Sequence, residues 1–324
     1  MKKTALIGIV LLALLISLKP LFSLAQEYPQ KPINLLIGYP PGGAGDIAHR
    51  LIVKKVEKVL GQAFVITSNG GGGGSVAAGI FAKQRPDGYN LLGTNITPLI
   101  RVPQLRTVPY KLDDFVPILH FGLPGAAIVV RSDTPWKTLK DLVDYAKNNP
   151  GKVTYLIFGT GTPMHFAMLF IAQKEGIQWS PLSAGDQQPL PLILGGHVSI
   201  YSAGGDFISH AKEGTLRVLA TMGEKRMKGF PNVPTLRELG YDYINEAAYI
   251  VCAPKGTPLP IIKKLDEAYR KSMDDPEFVQ YMGKMEFEIA YRNHEDVTKF
   301  LQDGYARIAK MIVDFKIPTE TGKK

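Results

Sequence analysis

A short apolar run, Ile33-Asn34-Leu35-Leu36-Ile37, ends in Gly38-Tyr39-Pro40-Pro41-Gly42-Gly43-Ala44-Gly45-Asp46, and an amphipathic run from Ile47 to Leu60 follows. That order specifies a strand that turns through glycines into a helix. The start of such a helix presents backbone N–H groups with no intrahelical acceptor, and together with the helix dipole they favour an anion. No Lys or Arg lies between Ile33 and His49, so an anion here is expected to rest on backbone donors. A weakly held carboxylate suits such a place better than a tightly bound phosphate.

The same device recurs. Ile47, Leu51, Ile52, Val56, Val59 and Leu60 share one side of the first helix, and Gly61 ends it. Phe64 to Thr67 reads as a second strand, running into Asn69 and the glycines Gly70 to Gly74. Ser75 is then the expected N-cap of a slim helix, Val76 to Gln84. Pro86-Asp87-Gly88 has turn chemistry and delivers a third strand, Tyr89 to Thr94. Strands alternating with helices predict an α/β sheet, with three loops on one edge. Ligands of open α/β sheets bind outside those carboxyl ends.

The apolar run Val116 to Arg131, broken by Gly122, Pro124 and Gly125, is read as leaving one domain and entering another. Residues 26–125 with 244–324 are expected to form the first, and residues 126–243 the second. Thr134-Pro135 is the expected helix start there, with Leu139, Leu142, Val143 and Ala146 inward. The strand Val153 to Phe158 ends in Gly159-Thr160-Gly161-Thr162-Pro163, and a helix runs on through Glu175. The strand Ile177 to Leu182 ends in Ser183-Ala184-Gly185-Asp186, and Pro189 and Pro191 place the next helix start near Gln188. A strand His197 to Ser202 ends in Ala203-Gly204-Gly205-Asp206. Leu216 to Thr221 and Tyr249 to Ala253 lead back, and helices near Pro260–Met273, Pro276–Met282 and Glu295–Phe315 form the tail. Two lobes joined out and back predict a cleft closing by hinge motion.

Several other chemistries are disfavoured. Lys2 and Lys3 precede an apolar run from Ala5 to Leu18, with Ser23-Leu24-Ala25 after it, which reads as a secretory signal peptide cleaved after Ala25. An uncleaved anchor is the alternative. Removing residues 1–25 takes away Lys2, Lys3 and Lys19 and lowers the formal charge from +9 to +6. The remaining cations are scattered, which argues against nucleic acid. Cys252 stands alone in an apolar run and reads as a buried, inert thiol. Gly43-Ala44-Gly45-Asp46-Ile47-Ala48 matches a dinucleotide fingerprint, but no acid follows the second strand and Asp46 would oppose a pyrophosphate. Gly70 to Gly74 lacks a P-loop lysine. Ser75 falls one residue short of a nucleophile elbow. The histidines at 49, 120, 165, 197, 210 and 294 show no metal spacing, so no metal or cofactor is expected. His165 is a candidate to face a ligand or to bond along its helix surface, and Asp206 a helix cap or a ligand contact.

A specific resemblance rests on Tyr28-Pro29-Gln30-Lys31-Pro32-Ile33, the loop Tyr39 to Asp46, Asn69 with its glycines, and Arg85-Pro86-Asp87-Gly88-Tyr89. The block Gly159 to His165, Gly195-Gly196-His197-Val198, Pro231-Asn232-Val233-Pro234-Thr235 with Glu238 and Gly240, and Ala253-Pro254-Lys255-Gly256-Thr257-Pro258 carry it further. These resemble the receptor proteins of tripartite tricarboxylate transporters, the Bug family, over the whole mature chain. The resemblance implies a two-lobe, type II-like periplasmic binding protein without catalysis, each lobe a mixed sheet flanked by helices. It would deliver a small organic acid to integral-membrane transporter subunits, as a monomer; a sensory partner is the alternative. It implies a site of Tyr39, Pro41, Gly42, Gly43, Ala44, Gly45, Asp46, Asn69, Gly72 and Thr94 from the first lobe. From the second come Gly159, Thr160, Thr162, His165, Ser183, Ala184, Gly185 and Ser202. Two departures bear on the ligand: Leu182-Ser183-Ala184-Gly185 stands where the family shows Tyr-Lys-Gly, and Ser199 where it shows Asp. Losing both charges suggests a monocarboxylate or aromatic acid before citrate.

Overall fold

The computed structural model describes residues 28–157, 162–183, 189–201, 205–245, 247–317 and 319–320, so the signal-peptide reading lies outside it. The chain divides into a unit Met1–Gln30 and a unit Lys31–Lys324, and every element below belongs to the second.

Strand β1 (Ile33–Ile37) buries Ile33, Leu35 and Ile37 and exposes Asn34, the two-residue period of a pleated strand. Helix α1 (Ala44–Leu60) leads to β2 (Phe64–Ser68), and α2 (Ser75–Phe81) to β3 (Asn90–Thr94). β1 lies parallel between them, with Leu35 opposite Ile66 on one side and Leu91 on the other. β4 (Phe115–Gly122) and β9 (Tyr249–Pro254) complete a sheet of order β2-β1-β3-β9-β4, with β9 antiparallel to both neighbours. β9 is buried throughout, as an interior strand covered on both faces must be, and Cys252 lies within it. Burial pushes its thiol up, so the inert reading stands.

The intervening chain builds smaller sheets. β5 (Ala127–Arg131) pairs antiparallel with β8 (Leu216–Thr221), and β6 (Thr154–Ile157) parallel with β7 (Ser180–Ser183). The segment expected as a strand from His197 joins them only through single bridges, Tyr201 to Val129 and Ile200 to Tyr155. Helix α3 (Val102–Leu105) precedes β4, and α4 (Leu139–Asn148), α5 (Pro163–Glu175), α6 (Pro189–Leu194) and α7 (Ile208–Lys212) lie along this course. In the tail, α8 (Leu259–Ser272) packs on α1, α9 (Pro276–Lys284) also meets α1, and α10 (His294–Asp314) covers β4. One apolar core runs from Phe81, Leu92 and Phe115 to Ile128, Tyr155 and Phe166.

Two helix starts differ from expectation. Thr134 spends its hydroxyl on the Arg131 carbonyl, 2.8 Å away. Thr138 caps α4 instead, because Asp141 reciprocates: its N–H donates to the Thr138 hydroxyl and its carboxylate accepts the Thr138 N–H at 2.9 Å. Ser75 is not the cap of α2. Gly74 takes that position at φ +89, and the Ser75 hydroxyl donates to the Gly72 carbonyl.

Two histidines sit wholly in the core of this sheet. His49 Nδ1 lies 2.7 Å from the Gly45 carbonyl, and its ring meets Phe121 edge-on. His120 accepts from Arg292 at Nδ1 and faces the Gly122 carbonyl through Nε2. Burial lowers both to about 4 from an ordinary 6.5, and the Arg292 charge adds to the effect on His120. Between those values the unfolded chain binds more protons than the native one, so stability falls as pH drops from 6.5 towards 4. Urea unfolding at pH 7 and pH 5 should therefore differ by about 2 kcal/mol for each histidine. Replacing His120 with Gln should remove its share of that difference.

Candidate functional site

The first loop leaves β1 by extending its ladder, with the Gly38 N–H donating to the Gly93 carbonyl at 2.8 Å. Pro40, Pro41 and Gly42 then stand exposed at the surface. The Tyr39 ring lies over Gly45, where a Cβ would come within 2.6 Å of it, and packs against His49 and Tyr249. Burial raises the Tyr39 hydroxyl's pKa, with the Asn95 side chain as its polar neighbour. Gly42 adopts φ +75 and donates its N–H to Asp46 at 3.0 Å. Gly43 caps α1 without a side chain, so Ala44, Gly45 and Asp46 occupy the three positions whose N–H groups meet no intrahelical carbonyl.

Asp46 itself is buried and committed within the protein. Its carboxylate also accepts from Arg50 Nε at 2.9 Å and from the Ser68 hydroxyl at the end of β2. Burial alone would raise this carboxyl, but the bonds from Arg50, Ser68 and Gly42 bring it below the usual range. The loop itself carries no cation, but Arg50, one turn into α1, pairs with its Asp46.

The second loop touches the first. A Cβ at Gly70 would lie 2.4 Å from Pro40, and one at Gly74 would lie 3.0 Å from the Gly38 carbonyl. Asn69 donates its N–H to the Ile37 carbonyl, and its side-chain oxygen accepts from Gly71. Gly72, Gly73 and Gly74 follow in the left-handed region, which explains the glycine run. Arg106 clasps this loop, donating to the Gly72 carbonyl at 2.9 Å and to the Ser75 hydroxyl at 2.7 Å. Below both loops, Thr94 ends β3 wholly buried, and its hydroxyl has no hydrogen-bond partner.

After Thr94 the chain makes a π-helical turn, Thr97–Arg101, closed by a bond from Val102 N–H to the Thr97 carbonyl. Such turns gather at functional sites. Arg101 ends it, only 1% exposed, with Nε and Nη1 lacking hydrogen-bond partners. Its guanidinium carbon sits 5.5 Å from the Phe166 ring centre, in the first turn of α5. Sequence reasoning missed Arg101, Arg106 and Arg50. The signal for Arg101 was a lone cation within the apolar stretch Pro98 to Pro103.

Thr162 caps α5 with its backbone, and its hydroxyl is buried without a hydrogen-bond partner. His165 is buried near the Tyr155 ring, and burial lowers its pKa. Ser183 ends β7 exposed. Gly159, Thr160, Ala184, Gly185 and Ser202 lie outside the described residues. Asp206 accepts from the Tyr201 hydroxyl and does not cap α7. Ser199 bonds to Thr154, the first residue of β6, and so belongs to the far edge of that sheet from the loop after Ile157. The exchange of Asp for Ser there gives no support to a less charged ligand.

Residues 48–317 match the model of the tripartite tricarboxylate transporter family receptor. The chain belongs to that receptor family. A relative from Cupriavidus necator, the UPF0065 protein in the gbd 5' region, is 35% identical over 290 residues, 89% of this chain and 88% of that protein. A solved structure described as a periplasmic transporter superposes with a TM-score of 0.83 at 25% identity, over 90% of this chain and 99% of that one. MatC of Rhodopseudomonas palustris, solved with bound malate, gives 0.79 at 22% identity, over 88% of this chain and the whole of its own. The receptor therefore has a periplasmic binding protein fold and a solute-binding role. Among its described residues no helix is long and apolar enough to cross a membrane.

The contact between Gly70 and Pro40 gives a direct test of how the two loops are held. Gly70→Ala keeps an allowed backbone conformation but overpacks the junction, and should cost about 1–3 kcal/mol in urea unfolding.

Proposed function

We propose that the chain is a periplasmic receptor that captures a small organic carboxylate and delivers it to the membrane subunits of a tripartite transporter. The observation that carries this reading is the start of α1, where the N–H groups of Ala44, Gly45 and Asp46 meet no intrahelical acceptor behind a half-buried, side-chain-free cap. Tyr39, Pro41, Gly42 and Gly43 frame that start, with Asn69 and Gly72 of the loop after β2 and Thr94 at the end of β3 as its neighbours. Thr162, His165 and Ser183 belong in this reading to the opposing wall. The malate held by a relative of the same fold supports the choice of a carboxylate.

In this reading residues 26–125 with 244–324 form one lobe and residues 126–243 the other, and the ligand stabilises the closed state by bridging them. Removal of residues 1–25 frees the chain into the periplasm as a monomer. The site, in this reading, binds its ligand without transforming it.

Gly43→Asp tests the reading. An acid at the N-cap would accept the second or third N–H of α1 through its own carboxylate. The variant should stay folded while a guest carboxylate loses its place, with affinity falling at least about 100-fold. Calorimetry with whichever acid stabilises the wild type in a thermal-shift panel makes the comparison, and unchanged affinity would remove the first loop from the site.

A further inference from the structure

We propose that Arg101 is the charged anchor of this site, pairing directly with a carboxylate of the bound acid. The inference rests on the receptor reading above and adds a side-chain cation to a site otherwise built from backbone donors. Arg101 is buried to 1% exposure, and its Nε and Nη1 have no hydrogen-bond partner. Among the described residues no carboxylate lies within ion-pair distance of it, whereas Arg50 and Arg106 both have partners. A guanidinium so placed is the arrangement proteins avoid, because a buried charge needs both a counter-ion and acceptors for its donors. The Phe166 ring face offsets only part of that cost.

Position supports the assignment. Arg101 closes the turn that follows β3, on the sheet edge where the loops after β1 and β2 also emerge. It reaches the first turn of α5, whose cap is Thr162, since the Phe166 N–H donates to the Thr162 carbonyl. The hydroxyls of Thr94 and Thr162 are likewise buried without hydrogen-bond partners. Arg101 is thus incomplete among these groups, and a planar guanidinium edge is suited to a carboxylate. A guest carboxylate would supply the counter-ion that Arg101 lacks among the described residues.

Arg101→Met and Arg101→Lys test this, with succinate, malate, adipate and benzoate as probes and succinamide and adipamide as uncharged controls. The ligand-free Arg101→Met protein should melt at or above the wild-type temperature, because an uncompensated charge has been replaced by an apolar chain of similar length. The acids that stabilise the wild type should bind it at least about 30-fold more weakly. Arg101→Lys should bind between the two, and the diamides should bind neither wild type nor variant. A lower ligand-free melting temperature for Arg101→Met would show that the guanidinium is already satisfied within the fold, and would overturn the proposal. Equal affinity of wild type and Arg101→Met for the same acid would overturn it as well. A wild type that no acid stabilises would count against the receptor reading, while the ligand-free comparison would still decide Arg101.

Discussion

Parallel pairing on both sides of β1 governs the arrangement of this molecule. Parallel strands cannot be joined by a tight turn, so β1 and β2 must each return through a crossover helix, and the resulting loops emerge on one edge. The ladder does not stop where the strands do. Gly38 bonds onward to Gly93, and Asn69 to Ile37, so the loops are clamped at their roots before the glycines give them freedom to bend. Close approach follows from that clamp, since Gly70 and Pro40 are pressed together with no room for a single added carbon.

Charge is distributed unevenly along this edge. Asp46 gathers the Gly42 N–H, the Ser68 hydroxyl and the Arg50 guanidinium, so that an acid built into the chain locks the two glycine loops to each other. Arg106 does similar work for the second loop through neutral oxygens. Both arms are structural. Arg101 differs in having neither acid nor carbonyl at the donors it buries. Among the described residues the edge is therefore balanced on its outer side and left with an unpaired cation where Arg101 meets α5.

Much of this was legible in residue order. β1, α1 with its terminal Gly61, and β2 through β3 follow from local periodicity and turn chemistry, and each lies within a residue or a few of the expected bounds. What escaped depends on contacts distant in sequence. Thr134 and Thr138 are both good caps; only the reciprocal bond with Asp141 selects between them. The segment at His197 reads as a strand by pattern, yet its neighbours on either side meet it at single residues. Asp46 looked available as a ligand contact because Ser68 and Arg50 approach it only once the helix and second strand are in place. Arg101 was hidden for the opposite reason, since burial of a cation is invisible until the helix that covers it is folded against it.

Cys252, the sole sulfhydryl, is sealed inside the central strand β9. Maleimide reagents will therefore find nothing to alkylate on the native surface. A cysteine introduced on each of the two proposed lobes could carry a dye pair without any need to delete the native thiol, so that single molecules would report whether those lobes close on a ligand.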